Sequence, residues 1–255
     1  MKLSLITPLL LTYNEEANIN RTLDRLTWAD RIVIVDSYSE DATVEIVRSY
    51  ENVDLLQREF DHFDAQCNYG LEQIDTEWVL SLDADYLCSE ELISEIRSLP
   101  ASPAFDGFSV EFIYCVHGHP LRGSLYPPRT VLYRRKQAKY HRDGHSHRVR
   151  IDGNAGKLET PIYHDDRKPL SEWLDNQRRY CRLEIDKLEE TSEVTLVDRV
   201  RKTGVLAPIL IPFYCLFVQG LILDGWPGWY YALQRTYTEL LLALKLIDRN
   251  IRRQE

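Results

Sequence analysis

The sequence predicts an α/β fold: a mostly parallel sheet flanked by helices, with a helical carboxyl-terminal extension. Three observations lead there. Over the first hundred residues, short apolar runs alternate with segments of helical periodicity. Those apolar runs are nearly unbroken, as strands covered on both faces are. From about residue 169 onward the strand pattern gives way to helical periodicity. Residues 6–12 read as the first strand, with Pro8 expected near its start because proline cannot donate to a ladder. Residues 15–28 read as a helix with Ile19, Leu23 and Leu26 on one face. Residues 31–36, Arg-Ile-Val-Ile-Val-Asp, are a second strand, and Asp41 is placed to cap a helix over 42–50. A strand at 53–58, a helix at 64–74 and a strand at 78–82 continue the alternation. Right-handed crossovers and a parallel sheet follow from that order. Residues 107–162 are rich in strand signals, at 108–115, 130–135 and 148–151. A charged helix at 169–190 comes next. Arg199, Arg201 and Lys202 then precede the uncharged apolar run 204–223. An amphipathic helix at 229–247 ends in Arg249, Arg252 and Arg253.

With 255 residues, 44% of them hydrophobic, the chain is long enough for one large α/β domain with appendages. The formal net charge of -9 argues against general nucleic-acid binding, which needs clustered Lys and Arg to neutralise phosphates. Cys67, Cys88, Cys115, Cys181 and Cys215 are scattered, and none forms a C-x-x-C pair. They read as reduced core residues of a cytosolic protein. The amino-terminal apolar run carries Pro8, lacks a small-residue cleavage site and ends in Asn14-Glu15-Glu16, so a buried first strand is expected and not a signal peptide.

Ligands on such sheets bind beyond the carboxyl ends of the strands. Residues 12–15, 36–41 and 83–85 therefore matter most. Asp83-Ala84-Asp85 places two carboxylates one residue apart at a strand end. Paired hard oxygens suit Mg²⁺ or Mn²⁺, which keep waters and bind substrate phosphates as well. The D-x-D pattern alone also describes a solvated turn, and its place after a fourth strand is what favours the metal. Asp36, after its strand, can accept the imide N–H of a uracil or the amine of another base. A turn or cap role is the alternative, and Ser37, Ser39 and Asp41 suit that better. Residues 11–16 can wrap a base and ribose, or form a plain strand-to-helix turn.

In order and spacing, LLLTYNEEANI, IVIVDSYSEDAT, QCNYG and EWVLSLDAD resemble glycosyltransferase family 2, which has the GT-A fold. A longer pattern runs through GSLYPPRTVLYRR, HSHRV, PIYHDDRKPL and FVQGLILDGWPGWYYAL. It is similar to the bacterial subgroup containing lipopolysaccharide core glucosyltransferases. The resemblance implies a metal-dependent, inverting hexosyltransferase. It would move sugar from a nucleotide-sugar donor, expected to be UDP-linked, to a lipid-anchored or lipopolysaccharide-core saccharide. It implies that Thr12, Tyr13, Glu15 and Asp36 contact the nucleotide, and that Asp83 and Asp85 touch ribose, diphosphate and metal. An inverting transferase also needs a general base. Related core transferases carry a His-Glu pair where this chain reads Asp143-Gly144-His145-Ser146-His147, and the Glu falls at about His147. His147 is the expected base, since imidazole has a suitable pKa. Asp143 is the nearest carboxylate alternative. His164 is placed to give the same metal a nitrogen ligand. Arg167, Lys168 or Arg129 can clamp the diphosphate. A surface turn capping the following helix is the other reading of residues 164–168.

Residues 1–168 are thus expected to form the catalytic domain, with 1–100 as its nucleotide-binding half and 101–168 as its acceptor and metal half. Residues 169–255 form the extension. The run 204–223 is long enough in principle to span a bilayer. Pro208, Pro212, Gln219, Gly220 and the Asp224-Gly225-Trp226-Pro227 turn disfavour a plain spanning helix. A shallow insertion anchored by Trp226, Trp229, Tyr230 and Tyr231 is expected, with basic flanks favouring anionic lipid on the cytoplasmic side. Such a protein would be cytoplasmic and peripheral on the inner face of the cell membrane. Packing of the run on protein, including a second copy in a homo-oligomer, is the alternative. Rival functions fit less well. A sugar-nucleotide synthase needs a Gly-rich basic loop after the first strand, and a nicotinamide oxidoreductase needs G-x-G-x-x-G. The non-enzymatic alternative is a membrane-docked nucleotide-sugar-binding or scaffolding protein, and the intact Asp83 and Asp85 argue against it.

Overall fold

The first strand, β1 (Ile6–Thr12), is buried over nearly its whole length, as its apolar sequence requires. The computed structural model describes residues 1–143, 146–190 and 196–252, with side chains described except at 142, 143, 146–148, 186–190 and 196. After β1 come α1 (Ile19–Leu23), β2 (Ile32–Asp36), α2 (Thr43–Arg48), β3 (Val53–Gln57), α3 (Phe63–Glu72) and β4 (Trp78–Asp83). Next are β5 (Tyr86–Leu87), α4 (Glu90–Ser98), β6 (Gly107–Val110), β7 (Phe112–Val116) and β8 (His119–Pro120). The strands β9 (Arg129–Arg134), β10 (Ala138–Asp143), β11 (Ser146–Ile151), β12 (Ala155–Lys157) and β13 (Ile162–His164) complete the β-rich part. The helices α5 (Leu170–Glu190), α6 (Leu196–Lys202), α7 (Leu206–Phe213) and α8 (Trp226–Arg252) follow.

The chain divides into two compact units, Met1–Cys115 with Tyr126–Arg167, and Val116–Leu125 with Lys168–Glu255. In the first, a seven-stranded sheet has the order β12-β6-β9-β4-β1-β2-β3. The strands β1 to β4 are parallel, and β9 runs antiparallel between β4 and β6. This is the predicted α/β sheet, and the near-continuous apolar runs have the predicted cause. Successive residues of β1 face opposite cores: Leu10 packs with Ile34, Leu80, Leu23 and Ile96, whereas Leu9 packs with Val35, Val79, Cys67 and Leu71. Pro8 is tolerated because the ladder with β2 begins one residue later, at Leu9↔Val33. All five cysteines are free and buried.

Three elements differ from the sequence reading. The helix expected over 15–28 is only α1. Its flanks form tight turns, closed by Asn18 N–H to Glu15 O at 2.9 Å and by Leu26 N–H to Leu23 O at 2.9 Å. The buried Ile19, Leu23 and Leu26 still share the core, so the apolar spacing served tertiary packing without needing a long helix. The strand expected over 108–115 breaks into β6 and β7, which join different sheets; β13 lies between β5 and β7 in the smaller one. The third difference is the β10–β11 hairpin, whose first strand the sequence did not suggest.

In the second unit, α8 packs against α5 and α7. The amphipathic helix expected over 229–247 extends at both ends. The uncharged run is broken: α7 contains Pro212, a π-helical turn spans Tyr214–Val218, and Gly220 and Gly225 adopt positive φ. Among the described residues, no helix is long and apolar enough to cross a membrane.

The α3–sheet contact is tight at Gly70, where an added Cβ would lie 2.5 Å from Leu9 Cδ1 and 3.1 Å from Val35 Cγ2. Gly70→Ala is expected to cost about 1–3 kcal/mol through overpacking, read as a lower urea midpoint. An unchanged midpoint would show that α3 can move off the sheet freely.

Candidate functional site

Strand register builds the site. The parallel ladders place Thr12 beside Asp36, Leu11 beside Asp83, and Asp36 beside Gln57. The carboxyl edge of the sheet is therefore acidic. Asp36 is buried, and its two oxygens take four donors. Thr12 Oγ1 at 3.0 Å and Ser39 Oγ at 2.5 Å reach Oδ1; Ser39 N at 3.0 Å and Gln57 Nε2 at 3.2 Å reach Oδ2. Four donors fill the acceptor positions of a carboxylate. A base N–H could reach Asp36 only by displacing one of them.

The loops after β1 and β2 are laced together. Asn14 N–H donates to Ser39 Oγ at 2.9 Å, and Glu15 N–H to Thr43 Oγ1 at 2.7 Å. Asp41 accepts Thr43 N–H and Oγ1–H, and Glu16 N–H reaches its other oxygen. Its carboxyl is held below the usual range: burial opposes the charge, but those donors outweigh it. Asn14 and Tyr38 have positive φ, which turns the chain sharply at the two strand ends. Tyr13 and Tyr38 are left 46% and 55% exposed there, as apolar faces for a ring. Tyr38 escaped the sequence reading because nothing local marks an exposed tyrosine as a platform.

After β4 the chain turns through Asp83-Ala84-Asp85 into β5, which pairs antiparallel with β13 in the register His164↔Tyr86. That register brings His164 to the turn from 79 residues away, with Nε2 3.0 Å from Asp85 Oδ2. Rings of Tyr126, Tyr114 and Tyr86 surround the imidazole at centroid distances of 4.5, 4.8 and 5.3 Å. Burial disfavours the imidazolium, but the Asp85 carboxylate outweighs burial, and the His164 pKa lies above its ordinary value. Its Nδ1 is buried without a hydrogen-bond partner. Arg129 Nη1 lies 3.6 Å from Asp83 Oδ2, with its guanidinium over the Tyr126 ring at 4.8 Å. A cleft next to Asp83 is lined by Ser81, Tyr86, Arg129, Tyr140 and Val149.

A carboxylate oxygen and an imidazole nitrogen that converge in this way, with a second carboxylate at hand, fit a divalent cation. Among the described residues, no three His, Cys, Asp or Glu side chains close a cage by themselves. An ion here would take its remaining ligands from water or substrate phosphate, as Mg²⁺ and Mn²⁺ usually do.

Other expected residues fall differently. Asp143 and His147 lie on the β10–β11 hairpin, where Asp143 pairs with Ser146 and Arg142 with His147. Their side chains, like the whole of His145, lie outside the described residues. The Arg167 guanidinium donates Nε to Asp165 at 2.9 Å, and in the second unit Lys168 Nζ lies 3.4 Å from Glu172. Asp165, which composition suggested was part of a surface turn, is buried at 3% exposure.

Three comparisons bear on identity. Over 261 residues the chain is 24% identical to the lipopolysaccharide core biosynthesis glycosyltransferase LpsC of Rhizobium meliloti (strain 1021), covering 96% of this chain and 93% of that protein. The fold is shared with mannosyltransferase PcManGT from Pyrobaculum calidifontis, solved with GDP-Man and Mn²⁺: TM-score 0.55, 16% identity, 98% of this chain and 88% of that one. It is shared also with S. aureus TarS 1-349, solved with UDP-GlcNAc: TM-score 0.51, 17% identity, 92% of this chain and 81% of that one. The Glycosyl transferase family 2 profile matches residues 9–159, from within β1 to just past β12 and through Asp83 and Asp85 at the end of β4. The chain belongs to glycosyl transferase family 2.

Proposed function

We propose that this chain transfers a hexose, with inversion, from a UDP-linked donor to a lipopolysaccharide-core or other lipid-anchored saccharide. The observation that carries the reading is the approach of His164 to Asp85, beside Asp83, at the carboxyl edge of the sheet. The similarity to a lipopolysaccharide core glycosyltransferase along nearly the whole chain supports the acceptor class.

In this reading Thr12, Tyr13, Glu15 and Asp36 hold the nucleoside, with Tyr13 and Tyr38 offering ring faces to the base. A base N–H takes the place of the Ser39 or Gln57 donor on Asp36. Asp83, Asp85 and His164 hold a divalent ion, Mg²⁺ or Mn²⁺, which neutralises charge on the departing diphosphate. Arg129, resting on Asp83, turns its guanidinium to the diphosphate when the donor arrives. His147 takes the proton of the acceptor hydroxyl as it attacks the anomeric carbon opposite the leaving group, and that single displacement inverts the centre. Asp143 is the reserve base.

The second unit supports a peripheral site on the inner face of the cell membrane. The segment Leu206–Phe213, the π-helical turn and the residues up to Trp229 carry large apolar side chains that remain in water. Phe217 is 61% exposed, Leu223 71% and Trp226 55%. Apolar surface on this scale marks an interface. Its Trp and Tyr rings and the neighbouring Lys202 suit the headgroup boundary of an anionic bilayer. The breaks at Pro212, Gly220 and Gly225 suit a helix lying in the surface and not through it.

Two outcomes are expected. By calorimetry, UDP binding should require Mn²⁺, vanish with chelator and weaken about 10- to 100-fold in Asp85→Asn and in His164→Ala, the loss of a contact to a charged group. Binding that survives chelator and both substitutions would sink the donor site. In co-sedimentation, the protein should bind vesicles of phosphatidylethanolamine and phosphatidylglycerol. Phe217→Ser with Leu223→Ser should weaken that binding at least about tenfold, since each buried side chain contributes about 1.5–3 kcal/mol. Equal binding by the variant would remove this surface from the membrane.

A further inference from the structure

A buried polar cluster in the first unit lies next to the proposed metal residues but belongs to none of the roles above. Its centre is Asp165. The Asp165 carboxylate accepts Arg21 Nη1 at 2.9 Å and Arg167 Nε at 2.9 Å. Arg21 also donates Nη2 to the Asp165 carbonyl and to Asn18 Oδ1, each at 2.8 Å. Asn18 is itself buried; its Nδ2 donates to Glu15 Oε2 at 3.0 Å and to Asp166 Oδ1 at 2.9 Å, and its Oδ1 accepts Arg167 N–H. Two more bonds tie the cluster to the turn after β4. Asp165 N–H donates to the Asp85 carbonyl at 3.0 Å, and Thr22 Oγ1 to the Ala84 carbonyl at 2.6 Å.

Desolvating the Asp165 carboxylate is costly even with the Arg21 and Arg167 side chains, still 30% and 35% exposed, beside it, and apolar side chains of similar volume often serve stability as well or better. The cluster even leaves Arg21 Nε buried with no partner. Stability alone is a poor account of it. Its geometry supplies another. Asn18, Arg21 and Thr22 project from one face of α1 at i, i+3 and i+4. That face holds the donor loop through Glu15, the Asp83–Asp85 turn through the Ala84 carbonyl, and the residue after His164 through its carboxylate and carbonyl. The ladder between β5 and β13 has only the pairs Tyr163↔Leu87 and His164↔Tyr86. β13 has three further pairs with β7, Ile162↔Phe112, Tyr163↔Ile113 and His164↔Tyr114, so the ladders place the backbone at His164 and leave the His164–Asp85 side-chain separation to the groups around them.

We propose that Asp165, clamped by Arg21 and Arg167, is a positioning residue that sets His164 against Asp85 and couples the donor loop to that pair. This rests on the donor and metal reading given above. It predicts that loosening the clamp weakens divalent-cation binding in protein that is still folded. It also predicts that Asp165 and Arg21 act as one unit.

The test uses the full-length chain and Asp165→Asn, Arg21→Met and the double variant. Mn²⁺ binding with UDP present is read from the electron paramagnetic resonance of free Mn²⁺, and folded fraction from metal-free thermal unfolding. The Mn²⁺ dissociation constant should rise about tenfold in each single variant, as loss of a group that orients a ligand typically gives. The double variant should show little further increase. A constant within about twofold of the parent in folded Asp165→Asn, with only a lower melting temperature, would overturn the inference, because a purely structural cluster behaves that way. A parent chain that binds no Mn²⁺ with UDP would overturn the functional reading and this inference with it.

Discussion

The carboxyl edge of the central sheet gathers negative charge in a small, partly dry space, and the arrangement around it follows from that constraint. Register between β1, β2 and β4 puts Asp36 and Asp83 two strands apart, with β1 between them, and Asp85 lies two residues beyond Asp83. Like charges this close disfavour one another unless donors or cations intervene. Each carboxylate has its own answer. Asp36 is saturated by neutral donors from β1, β3 and the following turn. Asp83 has Arg129, and Asp85 has His164. Asp165, just behind them, has two arginines. Of these groups, Asp83 and Asp85 are answered by side chains that can move or release a proton, and these are the groups assigned to metal and diphosphate.

Much of this was legible in the sequence, for reasons that can be named. A strand buried on both faces must be apolar without alternation, and Ile-Val-Ile-Val-Asp shows that directly. A carboxylate ending such a strand stands where ligands bind on open α/β sheets. Asp83-Ala84-Asp85 stood out by its place at the end of a fourth strand, and His164 by the family resemblance and its place after a short apolar stretch. The residues missed depend on partners remote in sequence. Asp165 looked like turn polarity among its neighbours, yet it meets Arg21 from 144 residues away. Arg21 lies within the stretch read as one long helix, but α1 is only five residues long and turns Arg21 toward Asp165. No periodicity carries such information, because the pairing is created by the fold. Residues 116–125, included in the expected 101–168 half, group by contacts with the carboxyl-terminal helices.

The carboxyl-terminal helices show a composition signal separating from a conformational one. The uncharged run has the length of a membrane span, but Pro212, the π-helical turn and the positive-φ Gly220 divide it into pieces shorter than a bilayer is thick. What persists is apolar surface. Along α8, the exposed Trp226, Leu233, Leu240 and Ile247 recur every seventh residue, a stripe opposite the buried Tyr231 and Leu242. One face of the helix therefore serves packing within the unit, while the other stays largely exposed, with Trp226 meeting the His119 ring and Ile247 lying over Gly204 at its two ends, in keeping with the proposed lipid surface.

The central claim is that His164 and the two carboxylates at the end of β4 share one divalent ion with the donor diphosphate. Pulsed electron paramagnetic resonance on Mn²⁺ bound with UDP tests it most directly. The account predicts ¹⁴N coupling from a coordinated imidazole together with ³¹P coupling from the diphosphate, with the nitrogen signal lost in His164→Gln. A bound Mn²⁺ with phosphorus coupling and no nitrogen coupling in the parent chain would contradict it.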